Sequence, residues 1–219
     1  MIEYGKIDTL FERDERFSVT EVLKRPVFAT IREWTVTEKI DGTNIRVDLR
    51  REAIDGPDRV TFGGRSNNAQ LPADLIQYLM ATFPVEKLAT VRKDAEPVSV
   101  TLFGEGYGAG IQKGGGYRKD KAFILFDVLI ADKWWLRDDA VTEIAAALGI
   151  PRVPIIGSMD LPGIVALVRD GFQSRLDGAT ARAEGVVART VEPLFDNQGK
   201  RLVLKLKTCD WKAEAGVRP

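Results

Sequence analysis

The sequence predicts an α+β fold with largely antiparallel sheets flanked by helices. Three observations carry this. Short β-branched and aromatic runs come in groups, not in strict alternation with helices, which argues against a βαβ repeat. Stretches of helical periodicity, bounded by start and stop residues, are inserted between those groups. An apolar share of 44% and a charged share of 29% over 219 residues allow a substantial core and exclude global disorder.

Residues 1–33 mix charged and apolar positions, and Phe11, Val19, Val22 and Leu23 are expected to line a short helix ahead of Pro26. Trp34-Thr35-Val36 and Ile45-Arg46-Val47-Asp48-Leu49 are strand-like. The Asp41-Gly42 pair between them reads as the tight turn of a β-hairpin. Val60-Thr61-Phe62 is a strand that runs into a turn over 63–68. Leu75, Ile76, Leu79 and Phe83 recur at helical spacing, with Pro72 near the first turn and Pro84 as the stop. Val98 to Phe103 is a strand, and the apolar run from Phe123 to Ile130, interrupted by Asp127, reads as a central one. Val141, Ile144, Ala145 and Leu148 form the buried stripe of a helix that starts at Asp138 and is closed by Gly149 and Pro151. Asp160 caps a further helix to Val168, with Pro162 in its first turn. Gly185–Ala188 and Leu202–Leu206 are short strands.

Composition excludes several chemistries. The formal net charge is zero, so polyanion binding must use a local patch. With no histidine, there is no histidine general base and no zinc or haem site of the usual kind. A single cysteine, Cys209, forbids an intrachain disulfide. No apolar run reaches the ~18 residues of a membrane span, and Met1-Ile2-Glu3-Tyr4 opens no signal peptide. A cytoplasmic protein without a membrane partner is expected.

Residues 104–116 contain seven glycines. No helix pattern follows, as a dinucleotide fingerprint requires, and no Gly-Lys-Ser/Thr completes a P-loop. Two readings stand side by side: a flexible surface loop, or a loop whose Lys113, Arg118, Lys119 and Lys121 meet a phosphate backbone.

The most informative lysine is Lys39, between a strand-like run and the Asp41-Gly42 turn. A strand lysine is ordinarily solvated. A nucleophilic one must be poised by desolvation or by nearby positive charge, since only about one free lysine in a thousand is neutral at pH 7. Lys205 and Lys207, alternating along a late strand, or a bound metal can supply that charge.

Five stretches line up in order: Lys39-Ile40-Asp41-Gly42-Thr43-Asn44; Gly64-Arg65-Ser66; Leu102-Phe103-Gly104-Glu105 with Phe123-Ile124-Leu125-Phe126-Asp127; Glu184-Gly185-Val186-Val187; and Leu204-Lys205-Leu206-Lys207. The series resembles the motif ladder of the covalent nucleotidyltransferases: ATP-dependent DNA ligases, RNA ligases and mRNA-capping guanylyltransferases. DNA ligases and capping enzymes usually carry Arg where this chain has Asn44. Thr43-Asn44 is similar to the RNA ligase 2 family, as are Gly110-Ile111-Gln112-Lys113 after Phe103-Gly104-Glu105 and Phe126 before Asp127. Many members of that family have His in place of Asp41, a small departure at a turn residue.

The resemblance implies an adenylyltransferase (ATP-grasp-like) domain. Its activity would be that of an ATP-dependent RNA ligase, joining 3′-OH and 5′-phosphate ends through a lysyl-AMP intermediate. The expected partner is a nicked duplex RNA or RNA/DNA hybrid, engaged by a monomer. Lys39 would attack the α-phosphate of ATP, which Lys205 and Lys207 would contact. Glu184 would hold Mg2+ or Mn2+, Glu105 the ribose hydroxyls, and Phe126 would stack on adenine. Glu38 and the backbone of Ile40 would meet the adenine edge, and Asn44 and Arg65 the ribose or phosphate. Two enzyme alternatives, a minimal DNA ligase and a capping-type guanylyltransferase, are opposed by Asn44. An inactive nucleic-acid-binding module is opposed by the intact Lys39, Glu105, Glu184, Lys205 and Lys207. Residues 1–219 are expected to form a single nucleotidyltransferase domain with no C-terminal OB-fold or helical domain.

Overall fold

The computed structural model describes residues 1–16, 18–51, 53, 56–92 and 98–211. The chain divides into two compact units, one of residues 1–4 and 41–152, the other of residues 5–40 and 153–219.

The first unit is built on a five-stranded antiparallel sheet in the order β6-β5-β7-β8-β9. Its strands are β5 (Thr43–Arg51), β6 (Asp58–Gly63), β7 (Val100–Tyr107), β8 (Ala122–Ile130) and β9 (Trp134–Trp135). The apolar members of the alternation, Ile45, Val47, Leu49, Val100 and Leu102, are buried with Leu75, Leu79 and Phe83 of helix α1 (Ala73–Thr82) and its C-cap. Leu88 of α2 (Val85–Ala89) and Val141 and Ala145 of α3 (Asp138–Ala147) complete this core. The other sheet face carries Asn44, Arg46, Phe103 and Glu105, as the two-residue period requires.

The second unit has a five-stranded sheet in the order β1-β12-β11-β4-β10. Its strands are β1 (Asp8–Thr9), β4 (Trp34–Lys39), β10 (Ile155–Met159), β11 (Gly185–Arg189) and β12 (Val203–Lys207). Only β1 runs parallel to its neighbour. Trp34, Val36, Val186, Ala188, Leu204 and Leu206 are buried with Ile164 and Val168 of α4 (Leu161–Asp170). Asp160 caps α4 by accepting the Gly163 N–H at 2.9 Å. No helix among the described residues is long and apolar enough to cross a membrane.

Two expectations are corrected. Trp34–Val36 and Ile45–Leu49 are strands but not a hairpin, because β4 pairs with β10 and β11, while β5 pairs with β6 and β7. The chain passes from one unit to the other between Ile40 and Asp41. Gly42 serves close approach instead: a Cβ there would lie 2.3 Å from the Gly106 carbonyl oxygen. The helix expected around Phe11–Leu23 is a ribbon of β2 (Phe11–Arg13) and β3 (Val19–Leu23). Asp14 Oδ1 accepts the N–H groups of Arg16 and Ser18, fixing a turn, and Val19, Thr20 and Val22 are β-branched.

Candidate active site

In the second unit, register brings the motif lysines together. Gly185 pairs with Lys39 on one side and with Lys207 on the other, so the two lysines project from the same face of the sheet. No side chain fits at Gly185: a Cβ would lie 2.1 Å from the Leu206 carbonyl oxygen, at a φ of +153°. Glu184, one residue before, reaches both lysines. Its Oε2 accepts from Lys39 Nζ at 2.5 Å, and its Oε1 is 2.5 Å from Lys207 Nζ. Lys205 lies one row back on the same face, opposite Val187, about 6.8 Å along the strand from Lys207.

The segment after Lys207 is fastened to this centre. The Thr208 N–H donates to the Glu184 carbonyl at 2.9 Å, and the Thr208 hydroxyl to the Ala183 carbonyl at 3.2 Å.

Glu38 points the other way, to the face of Trp34 and Val36, and is 1% exposed. Its Oε2 accepts the Arg175 N–H at 2.7 Å, while Oε1 is buried without a hydrogen-bond partner. Burial pushes the Glu38 carboxyl above its ordinary value of 4.5, and hydrogen bonds from Ser174 and Arg175 oppose that rise. Ile40 follows β4 and is 3% exposed.

In the first unit, Asn44 lies directly opposite Glu105 across β5 and β7. Asn44 Oδ1 is buried and without a hydrogen-bond partner, an acceptor suited to a ligand donor. The pairing of β7 with β8 shifts between Phe103 and Gly104, which face Asp127 and Leu125. Phe126 is therefore the extra residue of a bulge. Both Phe126 and Asp127 then face the side of Glu105, while Leu125 and Val128 stay in the core. Arg65 is exposed in the turn after β6.

Four supporting residues escaped the sequence reading. Arg46 is 1% exposed and donates to the carbonyls of Gly64 and Ile2 and to Asn67 Oδ1, at 2.6, 2.9 and 3.1 Å. It thereby shapes the turn bearing Arg65. Tyr4 packs edge-to-face against Phe126, with centroids 5.1 Å apart, and donates to Asp127 Oδ2 at 2.8 Å. Tyr117 accepts the Asp41 N–H through its hydroxyl at 3.4 Å. Arg175 holds Glu38 through its backbone. Only Arg46 left a signal, as a polar member of the alternation Asn44-Ile45-Arg46-Val47-Asp48-Leu49.

The Gly-rich segment is not a free loop. Gly104–Tyr107 belongs to β7, and Ile111 and Tyr117 are buried. Lys113, Arg118 and Lys119 are exposed, with the Arg118 guanidinium 5.9 Å from the centroid of Tyr107. Lys121 pairs with Asp74.

This fold is shared with solved RNA ligase structures. The Naegleria gruberi RNA ligase with PPi has a TM-score of 0.64 at 19% identity, over 98% of this chain and 64% of that one. A mutant of the same ligase with ATP and Mn gives 0.65 at 18% identity, over 98% and 64%. Another, with AMP and Mn, gives 0.65 at 19%, over 98% and 62%. The chain thus spans less than two thirds of these relatives' length. The family model for RNA ligase matches residues 32–207, a range that runs from just before β4 to the end of β12. The chain belongs to the RNA ligase family.

Proposed function

We propose that this protein is an ATP-dependent RNA ligase that seals 3′-OH to 5′-phosphate ends at nicks in duplex nucleic acid, through AMP carried on Lys39. The observation that carries the reading is the contact of Glu184 with both Lys39 and Lys207 across Gly185. An amine, a second cation and a carboxylate converge where phosphoryl transfer needs a nucleophile and charge neutralisation.

In the first step the Lys39 Nζ lone pair forms a bond to the α-phosphorus of ATP, and the bond to the pyrophosphate oxygen breaks. Before it attacks, the Lys39 ammonium gives a proton to solvent and its ion pair with Glu184 opens, because an ammonium has no lone pair to attack with. Lys207 and Lys205 then neutralise the α-phosphate oxygens. Next, a 5′-phosphate oxygen displaces Lys39 from AMP, and finally the 3′-OH displaces AMP.

Glu184 would hold a divalent cation, Mg2+ or Mn2+, which supplies further charge neutralisation on the phosphates. No cluster of three or more metal-ligating side chains exists among the described residues. A single carboxylate fits a hard cation that keeps its waters and takes its other ligands from substrate phosphates.

For the nucleoside, Glu38 Oε1 is a ready acceptor for the exocyclic amine of adenine, beside the Ile40 backbone. Asn44 and Glu105 suit the ribose hydroxyls, Phe126 the adenine face, and Arg65 a phosphate.

The test is covalent labelling with ATP or GTP marked at the α-phosphate, followed by sealing of nicked duplexes with RNA or DNA 3′ ends. ATP labelling and sealing at RNA ends are expected. GTP labelling would mark a capping-type enzyme, sealing confined to DNA ends a DNA ligase, and no labelling a binding module.

A further inference from the structure

We infer that Asp210 is a positioning residue for the lysine strand, fixing the end of β12 so that Lys207 keeps its place against Glu184, with Arg13 holding Asp210 in turn. The inference rests on the function proposed for Lys207.

The Asp210 side chain is 2% exposed, yet it belongs to a short helical turn just past the strand. Its two oxygens are used differently. Oδ2 accepts the Lys207 N–H at 3.1 Å, and Oδ1 accepts from Arg13 Nη2 at 2.5 Å. A carboxylate removed from water needs such partners, and here they are the backbone of a motif lysine and a cation from the N-terminal ribbon. Arg13 is part of a continuous brace. Thr9 pairs with Lys205 in parallel register, and the Leu10 N–H donates to the Lys205 carbonyl at 3.0 Å. Residues 8–13 thus run beside the strand that carries both motif lysines, and Arg13 closes that contact at the strand's end.

The consequence is kinetic. A lysine that neutralises charge developing on phosphorus contributes most when its position is fixed before reaction. Loosening the Lys207 backbone should lower the maximal rate of self-labelling and leave the half-saturating ATP concentration largely unchanged. A residue that only stabilised the fold would act through the amount of folded protein.

Three variants separate the roles. Asp210→Ala removes both contacts, Asp210→Asn keeps an acceptor oxygen for the Lys207 N–H, and Arg13→Ala removes the cation while leaving Asp210 in place. At a temperature where all are folded, Asp210→Ala should label about ten-fold more slowly at saturating ATP. Asp210→Asn and Arg13→Ala should lose about three-fold, and Arg13→Ala should add nothing to Asp210→Ala. Hydrogen exchange at the Lys207 amide, which does not depend on the activity, should accelerate in Asp210→Ala and stay near wild type in Asp210→Asn. An Asp210→Ala protein that labels at the wild-type rate, or loses only ATP affinity, overturns the inference. So does an unchanged Lys207 amide. A wild-type protein that takes no label refutes the proposed function instead, and the exchange experiment still decides whether Asp210 holds Lys207.

Discussion

Replacing Gly185 with alanine should damage the chemistry as well as the stability. The new Cβ would sit 2.1 Å from the Leu206 carbonyl oxygen and 2.7 Å from Lys207 Cα. Carbon–oxygen contacts are ordinarily about 3.3 Å or longer, so β11 and β12 must part by roughly 1 Å at this row. The φ of +153° adds backbone strain of about 1–3 kcal/mol for a residue with a side chain. This row holds Lys39 and Lys207, and Glu184 is its immediate neighbour. A misplacement of that size costs on the order of 100-fold in rate when reacting groups must be aligned. Single-turnover labelling with ATP marked at the α-phosphate measures the rate, and urea denaturation measures the stability cost. Labelling within about three-fold of wild type, from a folded variant, would refute the claim that this row sets the reacting geometry.

Three further outcomes are expected. Glu38 has a carboxyl raised above 4.5 by burial, so the folded state holds its proton more tightly than the unfolded state and stability falls as pH rises through the folded value. Glu38→Gln should therefore gain stability over wild type from pH 4 upward, levelling once wild-type Glu38 is ionised; a pH-independent difference in denaturation midpoint would contradict this. Phe126→Ala should raise the half-saturating ATP concentration by roughly ten-fold or more, as expected for a lost base stack, with little change in maximal rate; unchanged ATP affinity would remove Phe126 from the adenine site. Neutralising Lys113, Arg118 and Lys119 together should reduce the salt slope of duplex binding by about 2 to 3 while leaving self-labelling intact; an unaltered slope would make the loop purely structural. Lys121 is left out because it already pairs with Asp74.

What the sequence made legible was local. The stripes Leu75-Leu79-Phe83 and Val141-Ala145-Leu148, the Asp160 cap and the strand alternations are all read over a few turns, and all are present. The hairpin reading of Asp41-Gly42 failed because a turn signal does not say which sheet the next strand joins. The two-residue strands Asp8–Thr9 and Trp134–Trp135 carry no periodicity to detect. Lys39, Glu184 and Lys207 could be named from order, but the row Lys39–Gly185–Lys207 is a matter of register between distant strands. The bulge at Phe126 was hidden for a related reason: an apolar run interrupted by Asp127 does not reveal that consecutive residues share a face. Arg13 and Asp210 lie outside every motif, and only the structure joins them.

Lys39 is the proposed nucleophile. The direct test is to incubate the protein with ATP and magnesium, digest it, and map the AMP adduct by mass spectrometry, alongside a Lys39→Ala variant. The adduct should lie on Lys39 alone, be released as ATP on adding pyrophosphate, and be absent from Lys39→Ala. An adduct on another residue, or equal labelling of Lys39→Ala, would contradict the account.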